Sequence, residues 1–359
     1  MNSNKKIIVG MSGGVDSSIS AVLLKELGYQ VTGLFMKNWE EDDIDNNCSS
    51  KRDYEDAKRI SDKLDMNLLT VNFSDKYWDL VFKKFIDELN KGITPNPDIY
   101  CNKEIKFNYF YKYALSLGFD KVATGHYAKL INLDSKTTLN IPKDKQKDQT
   151  YFLYMLNQEI MKNLIFPLHE INKDDVKKIA KKFDINIYEK KESMGICFIG
   201  KRNFSQFIKK YIKLKPGDIK DKNNNVLGRH EGLFNYTIGQ RKGIGVGGIK
   251  NHEDKPWFVL NKDIKNNSLI ISQQEKELLY KGKIKLRDTN WINNIPNPNI
   301  IYKARFRHGG KLVPVKTLLN NNECILIMEN EERAITLGQS AVLYSNNECI
   351  GGGIIKELC

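Results

Sequence analysis

No run of this sequence approaches the roughly 20 consecutive apolar residues of a membrane-spanning helix. None of its six cysteines (Cys48, Cys101, Cys197, Cys324, Cys349, Cys359) stands in a CxxC pair. The first absence leaves no helical span. The second leaves neither a zinc knuckle nor a disulfide scaffold indicated, so most of the thiols are expected to be reduced. Only Ile7, Ile8 and Val9 precede the first polar loop, too few for the apolar region of a secretory signal, and a cytoplasmic location is expected. Acidic charge is in short supply: 57 Lys and Arg face 44 Asp and Glu, a formal net charge of +13. Phosphate-bearing polyanions are the first partners such a surplus suggests, although a Lys- and Asn-rich composition accounts for it equally well.

What is present is a chain of 359 residues, 40% hydrophobic and 28% charged, which fits a folded protein of more than one domain. Strand and helix signals alternate through the first 200 residues. Lys6 to Gly10 reads as a buried strand, after which Ile19, Val22, Leu23 and Leu27 recur at helical spacing up to Gly28. Val31 to Phe35, Asn67 to Phe73 and Lys121 to Thr124 read as further strands. Between them lie helical stripes at Tyr54, Ala57, Ile60 and Leu64, and at Phe107, Phe110, Tyr111, Ala114 and Leu115. This alternation predicts an α/β fold with a parallel sheet covered on both faces.

Past about Lys201 the texture changes. Residues 201–250 hold 12 Lys and Arg against 3 Asp and Glu, whereas the first 50 hold 4 against 7. From about Lys283, short strands separated by polar turns (Ile300 to Phe306, Leu312 to Leu319, Cys324 to Met328, Ala341 to Tyr344) predict a small antiparallel barrel or sandwich. The expected organisation is an N-terminal catalytic part over 1–200, a small basic central part over 201–276 and a C-terminal β-barrel over 277–359.

The segment Gly10-Met11-Ser12-Gly13-Gly14-Val15-Asp16-Ser17-Ser18 lies between the first strand and the first helix. Glycines let the backbone approach an anion, the helix start offers unpaired N–H groups, and the serine hydroxyls can donate to phosphate oxygens. The lysine that a GxxxxGK[ST] loop requires is missing. The pattern is a phosphate cradle of another kind, with Asp16 placed either to hold Mg²⁺ or to order the loop. A second constellation is Asn96-Pro97-Asp98-Ile99-Tyr100-Cys101-Asn102-Lys103-Glu104-Ile105-Lys106-Phe107. Its prolines predict an extended approach and a helix beginning just after Cys101. A thiol there, with Lys103 and Lys106 nearby, has its thiolate favoured. Asp98 is placed to act as a general acid or base or to cap that helix. A third cysteine motif is Ser193-Met194-Gly195-Ile196-Cys197-Phe198-Ile199-Gly200.

Taken in order, SGGVDSS, NPDIYCNKEIKF, TGHYA, KDQTYFLY, GICFIG, YTIGQRKGIGVGG and GQSAVLY…GGGII resemble the bacterial tRNA-specific 2-thiouridylases, of the PP-loop ATP pyrophosphatase group, over nearly the whole chain. Met194 stands where that family commonly carries Thr. The resemblance implies an N-terminal PP-loop domain of Rossmann-like type, and ATP held by the loop Gly10 to Ser17 with Met36 and Gly125, together with Mg²⁺. It implies ATP-dependent 2-thiolation of the wobble uridine in tRNAs for Lys, Glu and Gln. Cys197 would carry a persulfide supplied by a sulfur-carrier protein or cysteine desulfurase. Cys101 would be the nucleophile, and a cellular thiol would reopen the resulting disulfide. The two Cα atoms would then have to come within about 7 Å of each other. Asn96, Pro97 and Asp98 would line the target-base pocket, and His126, Lys147, Asp148, Gln149, Arg305, Phe306 and Gln339 would contact tRNA. By contrast, Gly243-Ile244-Gly245-Val246-Gly247-Gly248 follows a basic turn with no helix signal after it, so its GxGxxG spelling does not predict a dinucleotide site.

Overall fold

The computed structural model describes residues 5–40, 49–185, 204–247, 255–320 and 323–359. Its first layer is a five-stranded sheet in which β1 (Lys6–Gly10) lies at the centre. On one side are β2 (Gln30–Lys37) and then β3 (Leu68–Asn72); on the other are β4 (Lys121–Ala123) and the short strand Leu164–Ile165. All four pairings are parallel. Successive side chains of β1 point to opposite faces. Ile7 and Val9 therefore join Met11, Ile19, Val22, Ala57 and Val176 in one core, while Ile8 joins Leu34, Phe107, Phe110 and Ala114 in the other. The helix α1 (Val15–Glu26) returns from β1 and stops at Gly28, whose φ of +80° suits glycine. Because β2 and β4 flank β1 on opposite sides, the chain order reverses beside it. The loops leaving the carboxyl ends of β1 and β4 face each other across that switch point, where open α/β sheets bind ligands.

One long helical stretch crosses the second face, built from Pro97–Tyr100, a π-wound section Cys101–Phe110 and Tyr111–Ser116. It begins before Cys101, at Pro97, and so corrects the expectation of a start after the cysteine. Proline has no N–H to lose in a first turn and its fixed φ is already helical. Asn96 is the cap, its Oδ1 accepting from the Asp98 amide at 3.2 Å.

The strands Phe258–Asp263, Ser268–Ser272, Gly217–Lys220 and Val226–His230 form a separate sheet around Val259, Leu269, Ile271 and Ile219. The C-terminal strands form the expected antiparallel barrel. Lys283–Trp291 pairs with both Glu323–Met328 and Glu348–Leu358, which closes the ring through Val313–Asn320, Tyr302–Arg305 and Ser340–Ser345. A hairpin, Lys129–Asn132 and Thr137–Asn140, adds to the barrel's last strand through Asn140 opposite Glu348 and Leu139 opposite Cys349. No sequence signal pointed to that hairpin or to its partner. Among the described residues no helix is long and apolar enough to cross a membrane.

Candidate active site

Two closely packed glycines, one on each side, shape the loop between β1 and α1. Gly13 has a φ of +70°, and a Cβ on it would stand 2.2 Å from the carbonyl oxygen of Asp53 in the neighbouring helix Ser49–Lys63. Gly125, in the loop after β4, packs against the first turn of α1, where a Cβ would lie 2.8 Å from the Ser17 amide nitrogen. The loop's serines tie it together: the Ser12 amide donates to Ser17 Oγ at 3.2 Å, and the Ser17 and Ser18 hydroxyls donate to the Gly14 carbonyl at 2.9 Å. No side chain caps the N-terminus of α1 at Gly14. Its first-turn amides thus retain the capacity to bind an anion. Met11 is buried beneath the loop with its amide bonded to the Leu34 carbonyl, and Val15 opens α1. Met36 and Phe110 close over Gly10: a Cβ there would stand 3.7 Å from Met36 Cε and 3.2 Å from Phe110 Cε1.

Asp16 is held on both carboxylate oxygens. Lys173 Nζ donates to them at 2.7 and 2.8 Å, and the Tyr127 hydroxyl donates to Oδ1 at 3.0 Å. Of the two roles open to Asp16 from sequence, this arrangement supplies loop ordering. Lys173 begins the helix Lys173–Lys182, is 157 residues from Asp16, and no local pattern announces it. Among the described residues no group of three or more His, Cys, Asp or Glu side chains gathers at metal-binding distance.

Cys101 lies on the helical stretch that runs past this loop. Phe110, further along, covers Gly10, and the Phe107 ring sits 5.7 Å from the ring of His126, the residue after Gly125. The thiol is 2% exposed. Asp98 is half-buried one turn before it, and Pro97 is buried. Tyr100 donates to Glu88 Oε2 at 3.0 Å, and Glu88 also takes the Arg287 guanidinium from the barrel, so the barrel reaches the residue next to Cys101. Burial and the adjacent Glu88 hold the Tyr100 phenol far above its usual range. Cys197 lies outside the described residues, so its distance from Cys101 does not enter the geometry.

The residues expected at tRNA fall into distinct settings. Asp148 and Arg305 meet each other: Arg305 Nη1 donates to Asp148 Oδ2 at 2.7 Å, with side chains 12% and 2% exposed respectively. Asp148 Oδ1 accepts from the Thr150 hydroxyl, and the Arg305 guanidinium lies 5.2 Å from the centre of the Tyr344 ring. Gln149 is bonded to the Tyr127 backbone on both sides, Lys147 is half-buried, and Phe306 is buried among the barrel's apolar residues. His126 is buried between Phe107 and Phe166, with Nδ1 2.7 Å from the Thr124 hydroxyl. Burial first, and the Lys106 charge second, push its pKa well below the ordinary imidazole value, so the ring is neutral near pH 7. Gln339 Nε2 donates to the Thr94 carbonyl at 2.9 Å, just ahead of the Asn96 cap. Gly243 and Gly245 both have positive φ in an irregular loop that no described helix follows.

The whole sequence has known relatives. A model of the tRNA methyl transferase HUP domain matches residues 5–201, one of the tRNA methyl transferase PRC-barrel domain matches 205–273, and one of the aminomethyltransferase β-barrel domain matches 281–355. A tRNA-specific 2-thiouridylase MnmA of Francisella philomiragia is 46% identical over 98% of this chain and 99% of its own. The protein of the same name from Legionella pneumophila is 45% identical over 98% and 99%. That of Blochmanniella pennsylvanica is 47% identical over 99% and 98%.

Proposed function

The chain belongs to the tRNA-specific 2-thiouridylases, and from that premise we propose that it thiolates carbon 2 of the wobble uridine in tRNAs for Lys, Glu and Gln at the expense of ATP. It is a tRNA-uridine 2-sulfurtransferase. The observation that carries the reading is the glycine-serine loop with its uncapped helix start at the carboxyl end of β1, against which the helical stretch bearing Cys101 lays Phe110 on Gly10 and Phe107 on His126.

The first-turn amides of α1 and the hydroxyls of Ser12 and Ser17 would hold the phosphates, with Gly125 and Met36 beside the nucleoside. ATP supplies an adenylyl group that turns the uracil oxygen into a leaving group, with pyrophosphate released. Mg²⁺ would arrive on those phosphates, since Asp16 is engaged by Lys173 and Tyr127. Cys197 carries a persulfide from a sulfur-carrier protein or cysteine desulfurase. The Cys101 thiolate attacks its inner sulfur; the S–S electron pair leaves with the terminal sulfur, which replaces the adenylylated oxygen as AMP departs. Cys101 and Cys197 end joined, and a cellular thiol reduces them by ordinary exchange. Asp98 exchanges the proton at the uracil ring, which must leave the anticodon stack to arrive there. The division into 1–200, 201–276 and 277–359, and a cytoplasmic site of action, belong to the same reading.

Incubation with ATP, tRNA and sulfide tests it. Thiolated tRNA, AMP and pyrophosphate in equal amounts are expected. AMP and pyrophosphate without thiolated tRNA would instead point to a PP-loop ligase of small molecules.

A further inference from the structure

The segment between Asn90 and the Asn96 cap belongs to the N-terminal part, yet both other parts grip it. From the central sheet, Lys262 Nζ donates to the Gly92 carbonyl and to the Thr94 hydroxyl, each at 3.1 Å. Ile264 lies over Gly92, where a Cβ would stand 2.0 Å from Ile264 Cδ1. From the barrel, the Leu337 carbonyl accepts the Thr94 amide at 3.0 Å and Gln339 Nε2 donates to the Thr94 carbonyl at 2.9 Å. Gly338, with a φ of +88°, fits against Ile93, where a Cβ would come within 2.1 Å of Ile93 Cγ2. Every polar atom of Thr94 is thus held from outside its own part of the chain. Two residues later Asn96 starts the helix that carries Asp98 and Cys101.

Lys262 is a costly way to make such a contact. Its residue is only 9% exposed, and burial alone brings its ammonium down to about 8, with no carboxylate offsetting the loss of water. A methionine would fill the same space without that penalty. What the ammonium gains in return is its two oxygen acceptors, the Gly92 carbonyl and the Thr94 hydroxyl.

We propose that Lys262 is a positioning residue for the sulfur-transfer step: with the Leu337 to Gln339 turn it fixes Thr94, and so aims the Asn96-to-Cys101 segment at the uridine. The central sheet acts on the reaction through the backbone of the N-terminal part. This rests on the thiolation proposed above, but the geometry can be read without it.

The test uses the full-length enzyme and the substitutions Lys262→Met and Thr94→Val, the second removing only one acceptor of the ammonium. With saturating ATP and tRNA, and a persulfide-bearing sulfur carrier as donor in place of free sulfide, Lys262→Met is expected to lower kcat about tenfold, the equivalent of about 1.4 kcal/mol, with the tRNA KM unchanged. Thr94→Val should fall in between, and Lys262→Arg should restore part of the loss. Amide hydrogen exchange should quicken over residues 93–101 in Lys262→Met and stay unchanged in the barrel strands. An unchanged kcat, or a raised KM with unchanged kcat, overturns the proposal. If Lys262→Met does not fold, Thr94→Val decides on the same readings. Should the wild-type enzyme thiolate nothing, the functional reading fails, while hydrogen exchange still shows whether Lys262 holds the segment.

Discussion

A thiol reacts as its thiolate, and water decides how readily that anion forms. Cys324 and Cys349 are both buried, and loss of water pushes the first up to about 12 and the second further still. Cys359 is exposed. Both buried groups have folded values above their ordinary one, so at pH 8 they stay protonated and gain thiolate only on unfolding. Brief alkylation of the native protein at pH 8, read by peptide mass spectrometry, should modify Cys359 while sparing Cys324 and Cys349, and denaturant should expose all three. Equal labelling of the three in the native state would show that the barrel does not shield them. The same residue-scale reasoning applies to Asp16. Lys173 Nζ and the Tyr127 hydroxyl bond its carboxylate and fix the turn whose amides are left for phosphate.

Elements carry the sequence's errors as clearly as its successes. The sequence predicts an extended approach at Pro97, yet this residue sits in the first helical turn behind Asn96, because the same missing N–H suits both settings. Asn96 therefore has a role that its place in the base-binding motif did not suggest. Asn96→Ala should lower stability by about 1 kcal/mol, and Asn96→Asp, which retains a capping oxygen, by much less. Urea unfolding measures both, and equal losses would remove the cap from the account. The parallel sheet was legible because β1, β2 and β4 are short apolar runs next to helical stripes. The phosphate loop was legible because glycine and serine chemistry is local. Lys173, Lys262 and the hairpin Lys129–Asn132 with Thr137–Asn140 were not, since each acquires its meaning from a partner far along the chain.

At the scale of the molecule, the barrel and the N-terminal part are joined by a buried polar seam. Asp148 and Arg305 form its ion pair, Thr150 bridges Asp148 to the Tyr344 hydroxyl, and the Tyr151 and Tyr154 hydroxyls meet Ser340. The family resemblance implies tRNA contacts for both charges, and the geometry has them bonded to each other. The two uses predict different things. If the seam is Arg305's main role, Arg305→Ala leaves Asp148 buried without its cation and should cost about 3–5 kcal/mol. Adding Asp148→Asn removes the stranded charge, so the double variant should be more stable than Arg305→Ala alone. Paired with Asp148→Asn, the two substitutions form a cycle that isolates the pair. If Arg305 instead serves tRNA, its replacement should lower tRNA affinity by about 1–3 kcal/mol at moderate salt and leave urea unfolding nearly unchanged. We expect the first pattern, because both side chains are nearly shut off from solvent before any RNA arrives. A loss of stability below about 1 kcal/mol, the range of an exposed pair, would show that the seam is held by its tyrosines and that Arg305 is available to the phosphate backbone.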